Sequence, residues 1–477
     1  MRRERPGASI WDRDHLGVTL GAIALVFLAA VEALAVTTVM PVVSAELHGE
    51  ELFALSLSGP LATGVIGMVV SGAWSDRGGP RAPLYFAILL FMLGLLVAGA
   101  APDIYTFVVG RLVQGLGGGG QIVALYVVVA RLYPPELHSR MFASFSAAWV
   151  VPAMVGPFLA GAVAEFLHWR WTFFGVAGLT VLAFLRMAPR LRGAPLGPVP
   201  DATEGEGAGA GADPTLPTAG AAERAGGSIT VRLVLATIVA VAAIGAGFAA
   251  ELRPSTGWLV AAACVVVAGF AIRPLLPRGT LLIRRGLPSV ILMRGVIAGA
   301  FFGSETYVPK LMMERFDFTP TFAGLALTVA GLTWTVASFT QGRYGERLGS
   351  TRIAMIGIGL MIAGVGGVLV SALLGVAPWL VVVGWGVGGA GMGLLYPWLS
   401  VLTLAYSTPQ NSGFNLSALS ISDSAGAALM IAIVGMAFLT FPIAGSGFPI
   451  VYLLAIVLLL FGVVPGSRLG RGRVVES

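Results

Sequence analysis

The sequence predicts an all-α integral membrane protein: two six-helix bundles, two further helices inserted between them, and both termini cytoplasmic. Three observations carry that prediction. Apolar residues make up 57% of the chain and charged residues only 11%, a balance unlike that of a soluble domain. Fourteen apolar stretches occur, each near the roughly twenty residues that cross a bilayer as a helix. A short charged turn between two of them, Gly72-Ala73-Trp74-Ser75-Asp76-Arg77-Gly78-Gly79-Pro80-Arg81, recurs in degenerate form. The second copy is Gly342-Arg343-Tyr344-Gly345-Glu346-Arg347-Leu348-Gly349-Ser350-Thr351-Arg352. Glycine, acid, arginine and glycine keep their spacing. A turn repeated between membrane helices implies two halves built on one plan, and two halves that rock are what a secondary transporter needs.

In chain order the spans fall near 16–40, 52–75, 82–101, 105–130, 140–165, 170–187, 230–250, 256–273, 288–310, 321–341, 352–375, 378–404, 412–440 and 447–465. Arg2, Arg3 and Arg5 precede the first span in the manner of a secretory leader. That span begins only near Leu16, is too long, contains Glu32 and lacks a small-residue cleavage pattern, so it reads as a retained helix. Residues 189–228 are rich in Ala, Gly and Pro, carry Asp201, Glu204, Glu206 and Asp213, and show no periodicity. They read as a flexible cytoplasmic linker. The seventh and eighth spans are the least distinctive, and the turn motif returns only after the tenth. The expected organisation is therefore a first bundle (1–188), the linker (189–228), an inserted pair with its loop (229–286), a second bundle (287–465) and a tail (466–477).

The net charge of +6 sits in short loops, where basic residues act as topology signals and not as a nucleic-acid surface. With the N-terminus inside, only Arg170, Arg253, Lys310 and Arg315 of the 29 Lys/Arg fall outside, and Arg111 and Arg294 lie within spans. That asymmetry predicts both termini in the cytoplasm, and Glu46, Glu50 and Glu51 in the first outer loop fit it. The single cysteine, Cys264, lies in a span, which excludes an intramolecular disulfide and a cysteine metal cluster. His15, His48, His138 and His168 fall at span ends or in loops without ligand spacing. No metal or other cofactor is expected. The absence of a GxxxxGK[ST] loop leaves an ATP-driven pump on this chain unsupported.

Five ionisable residues lie within the apolar spans: Glu32, Arg111, Arg294, Glu305 and Asp423. A charge at the bilayer centre costs on the order of 2.5 kcal/mol or more, so each is a functional candidate. Glu32 and Arg111 lie about 12 Å and about 9 Å from the outer ends of their antiparallel spans, at 1.5 Å per residue. They can therefore share a depth. Desolvation favours the neutral form of a carboxylic acid, which suits proton exchange, and a nearby arginine opposes it. Movement of that arginine would gate protonation. A static Glu32–Arg111 pair that only fixes packing is the competing reading. Glu305 is a second acid, slightly nearer the outer face. Asp423 enters from the cytoplasmic side among Ser420, Ser422 and Ser424, which suggests a wet or hydrogen-bonded helix start. Arg294 is expected to snorkel to the cytoplasmic surface. Tyr126, Trp149, Tyr307, Trp334, Trp385, Tyr396 and Trp398 could line a cavity for bulky, partly apolar compounds, with Gln114 as a polar contact, although packing is the commoner role for any one aromatic. The Gly117–Gly120 run lies in a helix and reads as close helix contact, not a nucleotide loop.

These residues resemble the major facilitator superfamily, and within it the fourteen-span drug:proton antiporters. Gly72–Arg81 resembles the loop motif between helices two and three, with Asp76 and Arg77 at its acid and base positions and Ala82-Pro83 where another basic residue is usual. Arg111-Leu112-Val113-Gln114-Gly115-Leu116-Gly117 resembles the span-four motif, whose arginine is associated with proton coupling. Pro152 with Gly156-Pro157-Phe158-Leu159-Ala160-Gly161 resembles the span-five antiporter motif, and Trp169-Arg170-Trp171-Thr172-Phe173-Phe174 the start of span six. Glu32 and Pro41 keep the spacing of the family's span-one Asp and Pro, with Leu34 and Thr37 replacing the usual Thr and Asn.

The resemblance implies a conformational latch built on Gly72, Asp76, Arg77, Gly79 and Arg81, with Glu346 and Arg347 in the second copy. Asp76 would meet the N-terminus of span thirteen, where the helix dipole favours an anion, and hold the cytoplasmic side shut when the cavity faces outward. In span five, Gly156-Pro157 would bend the helix and let it pack closely. The leading expectation is proton-coupled export of small amphipathic compounds across the plasma membrane, with Glu32, Arg111, Glu305 and Asp423 as the coupling set. The partners expected are a small-molecule substrate, protons and membrane lipid, with no nucleic acid and a monomer as the working unit. Transport of one metabolite, siderophore or lipid is a rival, as is a non-transporting receptor or scaffold. An enzyme is not expected, because no nucleophile–base pair is evident in the spans.

Overall fold

The computed structural model describes residues 9–12, 15–193, 229–407 and 412–470. Fifteen helices occur among them: α1 (Leu16–Glu46), α2 (Phe53–Gly78), α3 (Arg81–Ala100), α4 (Ile104–Leu132), α5 (Pro135–Phe166), α6 (Arg170–Gly193), α7 (Ile229–Phe248), α8 (Pro254–Ile272), α9 (Leu287–Glu305), α10 (Val308–Phe316), α11 (Pro320–Leu348), α12 (Ser350–Leu374), α13 (Trp379–Ala405), α14 (Ser412–Thr440) and α15 (Phe448–Gly466). They provide 14 segments long and apolar enough to cross a membrane, with α9 and α10 together making the ninth. The described residues contain no β-strand. In hydrocarbon a chain must satisfy its own backbone, and long apolar helices do so within one segment.

Local chemistry sets several helix ends. Asp103 accepts the backbone N–H of Thr106 at 2.9 Å and its hydroxyl at 2.9 Å, satisfying an orphan donor at the start of α4. Those bonds hold the Asp103 carboxyl below its usual range, so its capping contribution is present above the ordinary Asp pKa and lost as pH falls through the lower folded value. The repeated turn is repeated in backbone as well. Gly79 ends α2 at φ 83, ψ 161, and Gly349 ends α11 at φ 78, ψ 150. A side chain is strained there, which is why both copies keep that glycine.

Small residues bring the helices together. A Cβ on Gly67 would lie 2.1 Å from the Leu116 carbonyl oxygen, and one on Gly119 2.1 Å from that of Gly64. Gly117 faces Phe91 N at 2.2 Å in the same sense, so the Gly117–Gly120 run is a contact surface for α2 and α3. Gly364 against Gly384 and Gly391 against Gly357 do the same for α12 and α13. Lipid supplies no hydrophobic drive between helices, so such backbone approach and its van der Waals contact carry the association. The α7 helix packs on α2 and α14 as well as on α8, through alanines Ala62, Ala240, Ala243 and Ala428.

Two elements depart from the sequence expectation. The α6 helix runs on to Gly193 with Pro189 inside it, so residues 189–193 are helical where a linker is expected. Residues 194–228 lie outside the described residues. The ninth span is not one helix but two, interrupted at Thr306–Tyr307. Pro309 has no N–H to offer the Glu305 carbonyl, which removes one bond of the helix ladder at that point.

The first six and last six spans meet at one end of the molecule. A Cβ on Gly161 would lie 2.3 Å from the Pro320 oxygen, one on Gly324 2.3 Å from the Pro157 oxygen, and one on Gly435 2.3 Å from the Ala54 side chain. Lys310 and Glu50 pair across the same end. At the opposite end, which carries the repeated turn, Asp76, Arg77 and Arg347 are exposed.

Candidate functional site

Span four delivers Arg111 into the first group of spans, and span one delivers Glu32 to meet it. Both are buried, at 4% and 5% exposure. Arg111 Nη1 donates to Glu32 Oε1 and to Gln114 Oε1, and Arg111 Nε donates to the Ser56 carbonyl at 3.1 Å. The guanidinium thus ties α1, α2 and α4 at one point. Gln114 sits one turn after Arg111 and reaches it from the same helix face. A buried charge needs both a counter-charge and filled hydrogen-bond positions, and this site supplies both.

A second charged group lies among the last spans. Arg294 Nε donates to Asp423 Oδ1 at 2.8 Å, and Nη1 donates to the Tyr396 carbonyl at 2.8 Å and to Ser400 Oγ at 3.2 Å. Tyr396 OH donates to Asp423 Oδ2 at 2.9 Å, and its ring centroid lies 3.1 Å from Arg294 Cζ. The expectation that Arg294 snorkels is corrected: it is buried, because Asp423 on α14 and Tyr396 on α13 meet its charge inside the protein. Asp423 is hydrogen-bonded to an arginine and a tyrosine. Ser422 beside it turns away to the Ile291 carbonyl at 2.7 Å.

Glu305 ends α9 at the interruption and is 8% exposed. Among the described residues its carboxylate has no hydrogen bond or ion pair. One turn earlier on the same face, Phe301 stacks on Trp385 at 4.8 Å and meets Trp334 edge-on at 5.6 Å. Trp334 in turn meets Tyr396 at 5.3 Å. An aromatic series therefore runs from the Phe301–Glu305 face to the Asp423 group.

The proposed cavity residues do not gather as one set. Tyr126 is half-exposed and stacks on Phe145 at 5.9 Å. Trp149 is exposed on α5 and Trp334 is half-buried. Gln114 serves Arg111. Tyr307 is corrected as a cavity residue: it is wedged between Phe53 at 5.2 Å and Phe438 at 4.8 Å, at the closed end.

At the repeated turn, Arg131 from α4 donates to the Ser75 carbonyl at 2.9 Å, which anchors the turn to its own bundle. Gly72 and Arg81 are half-buried. The side chain of Glu346 lies outside the described residues. In span five, Pro152 and Pro157 lie inside a continuous helix. The close approach expected at Gly156 occurs elsewhere: its nearest neighbour is its own Pro152 at 4.0 Å, whereas Ala153, Pro157 and Gly161 meet Gly331, Gly324 and Pro320 of α11. Lys310, which sequence reasoning missed as a site residue, carries two signals visible in the sequence: it is the one lysine of the chain, and it is among the four cations on the side the charge bias leaves nearly bare.

This frame of fourteen spans around buried ion pairs is that of a membrane transporter. The profile of the Major Facilitator Superfamily matches residues 22–304, and the chain belongs to that superfamily. An uncharacterized MFS-type transporter of Schizosaccharomyces pombe is 30% identical over 177 residues, 36% of this chain and 30% of that protein. The Acurin A biosynthesis cluster MFS-type transporter of Aspergillus aculeatus is 30% identical over 148 residues, 31% of this chain and 27% of that one. Multidrug resistance protein 3 of Bacillus subtilis is 26% identical over 157 residues, 33% of this chain and 31% of that one. The chain thus aligns with under a third of the length of these curated relatives. Among solved structures, the peptide transporter POT in complex with sulfate superposes with a TM-score of 0.63 at 16% identity, covering 94% of this chain and 95% of that one. A bacterial homologue of the human lysosomal transporter Spinster, in an inward-facing and unoccupied conformation, gives 0.65 at 14%, covering 97% of each. The shared property is the fold.

Proposed function

We propose that the protein is a proton-driven exporter of small amphipathic compounds across the plasma membrane, with both termini in the cytoplasm. The observation that carries this reading is the buried Glu32–Arg111 pair. Protonation of Glu32 replaces an ion pair by a neutral contact and loosens the hold of α1 on Arg111. Arg111 keeps its hydrogen bonds to Gln114 and the Ser56 carbonyl but loses its counter-charge, a cost that favours movement of the guanidinium toward water. A proton on Glu32 can thus drive the α1–α4 contact to rearrange. Glu305, buried without a partner beside a helix interruption, is a second acid suited to accept and release a proton. Asp423 is restrained by Arg294 and Tyr396 and acts later, when those spans shift.

In alternating access the two bundles rock about the site. With the Lys310 end closed, substrate enters from the turn end, assigned here to the cytoplasm, and meets Tyr126, Trp149 and Trp334. Asp76 and Arg77, exposed in this state, would engage the second bundle in the opposite one. The relative named for multidrug resistance supports export.

Dye efflux from proteoliposomes under an imposed pH gradient tests the proposal. Wild type should move dye, and Glu32→Gln should lose at least about 90% of gradient-driven transport at equal protein content, as expected for a coupling acid. Full efflux in Glu32→Gln would move coupling to Glu305 or Asp423. The Aspergillus relative, named for a biosynthesis cluster, supports a second reading, export of one metabolite. Wild type that ignores unrelated dyes would favour it.

A further inference from the structure

The closed end holds a feature that proton coupling does not use. Lys310, on α10, is 2% exposed. Its ammonium pairs with Glu50 Oε2 in the turn before α2 and with Glu314 Oε1 at 2.9 Å on its own helix. It also lies 4.7 Å from the ring of Phe53 on α2 and 5.6 Å from that of Phe438 on α14. Ser44 of α1 donates to the other Glu50 oxygen at 3.1 Å. One cation therefore joins α1 and α2 of the first six spans to α10 and α14 of the last six.

We propose that Lys310 is the bolt of a gate at this end, with Glu50 as its keeper, and that α10 is the leaf that swings. Three features distinguish a bolt from a static ion pair. First, Lys310 carries a spare partner. If the bundles part, Glu50 leaves with the first bundle while Glu314, four residues along the same helix, stays. The ammonium is never left alone in an apolar seam, which is the outcome that makes most buried pairs costly to break. Second, both carboxylates already reach water, at 43% and 46% side-chain exposure, so releasing Glu50 exposes a group that is half-solvated beforehand. Third, α10 is separated from α9 at Thr306–Tyr307, and Pro309 deletes the bond that would make the two one rod. A nine-residue helix (Val308–Phe316) can then turn without dragging the buried Arg294 group on α9. The hinge adjoins Glu305, so occupancy of that acid and the position of the bolt act on one element. The gate rests on the alternating-access part of the proposed function and not on proton coupling or substrate.

The test reads opening, not transport, so failure of the exporter reading leaves it intact. In full-length protein carrying Cys264→Ser, Thr321→Cys places a single thiol on the α5–α11 seam. Thr321 is 9% exposed, lies at the closed end and does not touch Lys310. Its labelling by a water-soluble maleimide in lipid nanodiscs reports opening of that end as a whole. Lys310→Met should raise the labelling rate on the order of tenfold, the size of a population shift from loss of one inter-bundle pair. Glu50→Gln should raise it by a smaller factor. Glu50→Lys with Lys310→Glu and Glu314→Lys, which reverses every charge of the cluster, should return it to within about twofold of the parent. Labelling at the parent rate in both single variants overturns the proposal. Raised labelling that the reversed cluster fails to lower overturns it too, by showing that shape and not charge closes the seam. Should Lys310→Met not fold, Glu50→Gln decides the question, since that carboxylate is partly in water.

Discussion

Two arginines inside the membrane region are handled differently, and the difference is testable. Arg111 and Glu32 are almost sealed, with side-chain exposures of 5% and 7%, whereas Arg294 and Asp423 stand at 9% and 20%. Removing one member of either pair strands the other. Arg294→Met should therefore lower unfolding stability by about 3 kcal/mol or more, read as a drop in the thermal midpoint in detergent. Arg294→Met combined with Asp423→Leu should recover most of that loss, because no charge is then left unpaired. If the double variant is no better than the single, the group is held by packing and not by its charges. The five intramembrane ionisable residues were legible as such in the sequence. The partner of Arg294 was not, since Asp423 stands 129 residues away and local hydropathy carries no record of who meets whom.

Between helices the controlling variable is how near two backbones come. Gly67 lies in a contact where a methyl group would sit 2.1 Å from a carbonyl oxygen, whereas Gly175 on α6 has nothing within 4 Å. Gly67→Ala should cost about 1–3 kcal/mol by overpacking. Gly175→Ala should be neutral or slightly stabilising, because alanine is the better helix former. Equal thermal midpoints for the two variants would contradict the packing account. The existence and order of the helices were readable from twenty-residue hydropathy. The interruption after Glu305 was not read out, although Pro309 was in view, because a proline in a membrane helix is often absorbed by its neighbours. The extension of α6 to Gly193 was hidden by Pro189 in the same way.

For the whole molecule, closure at the Lys310 end rests on two seams, one ionic and one built on glycine and proline. A Cβ on Gly324 would meet the Pro157 oxygen at 2.3 Å and one on Gly331 the Ala153 oxygen at 2.1 Å. Gly324→Val should therefore wedge the α5–α11 seam and favour opening of that end. Ser58→Cys, one turn from Ala54 on α2 and fully buried, reads this from the other seam in the Cys264→Ser background. Its maleimide labelling should rise severalfold with Gly324→Val, by a population shift of about 1 kcal/mol. An unchanged rate would show that the two seams open independently.

By itself the sequence determined the number and order of the spans, the repeat that makes two halves, and which few residues put charge into the membrane region. Each of these follows from free energies that are local along the chain: about twenty apolar residues satisfy their own backbone in lipid, and a glycine adopts at low cost the positive φ that ends a helix, as Gly79 and Gly349 do. Only the tertiary structure decided that Glu32 and Arg111 touch, that Arg294 answers to Asp423, that Tyr307 packs at a seam, and that Lys310 reaches Glu50 across 260 residues. It alone decided which end is shut. Those outcomes depend on how rigid helices rotate and slide against one another. Many such arrangements share one hydropathy pattern, and contacts between residues remote in the chain choose among them.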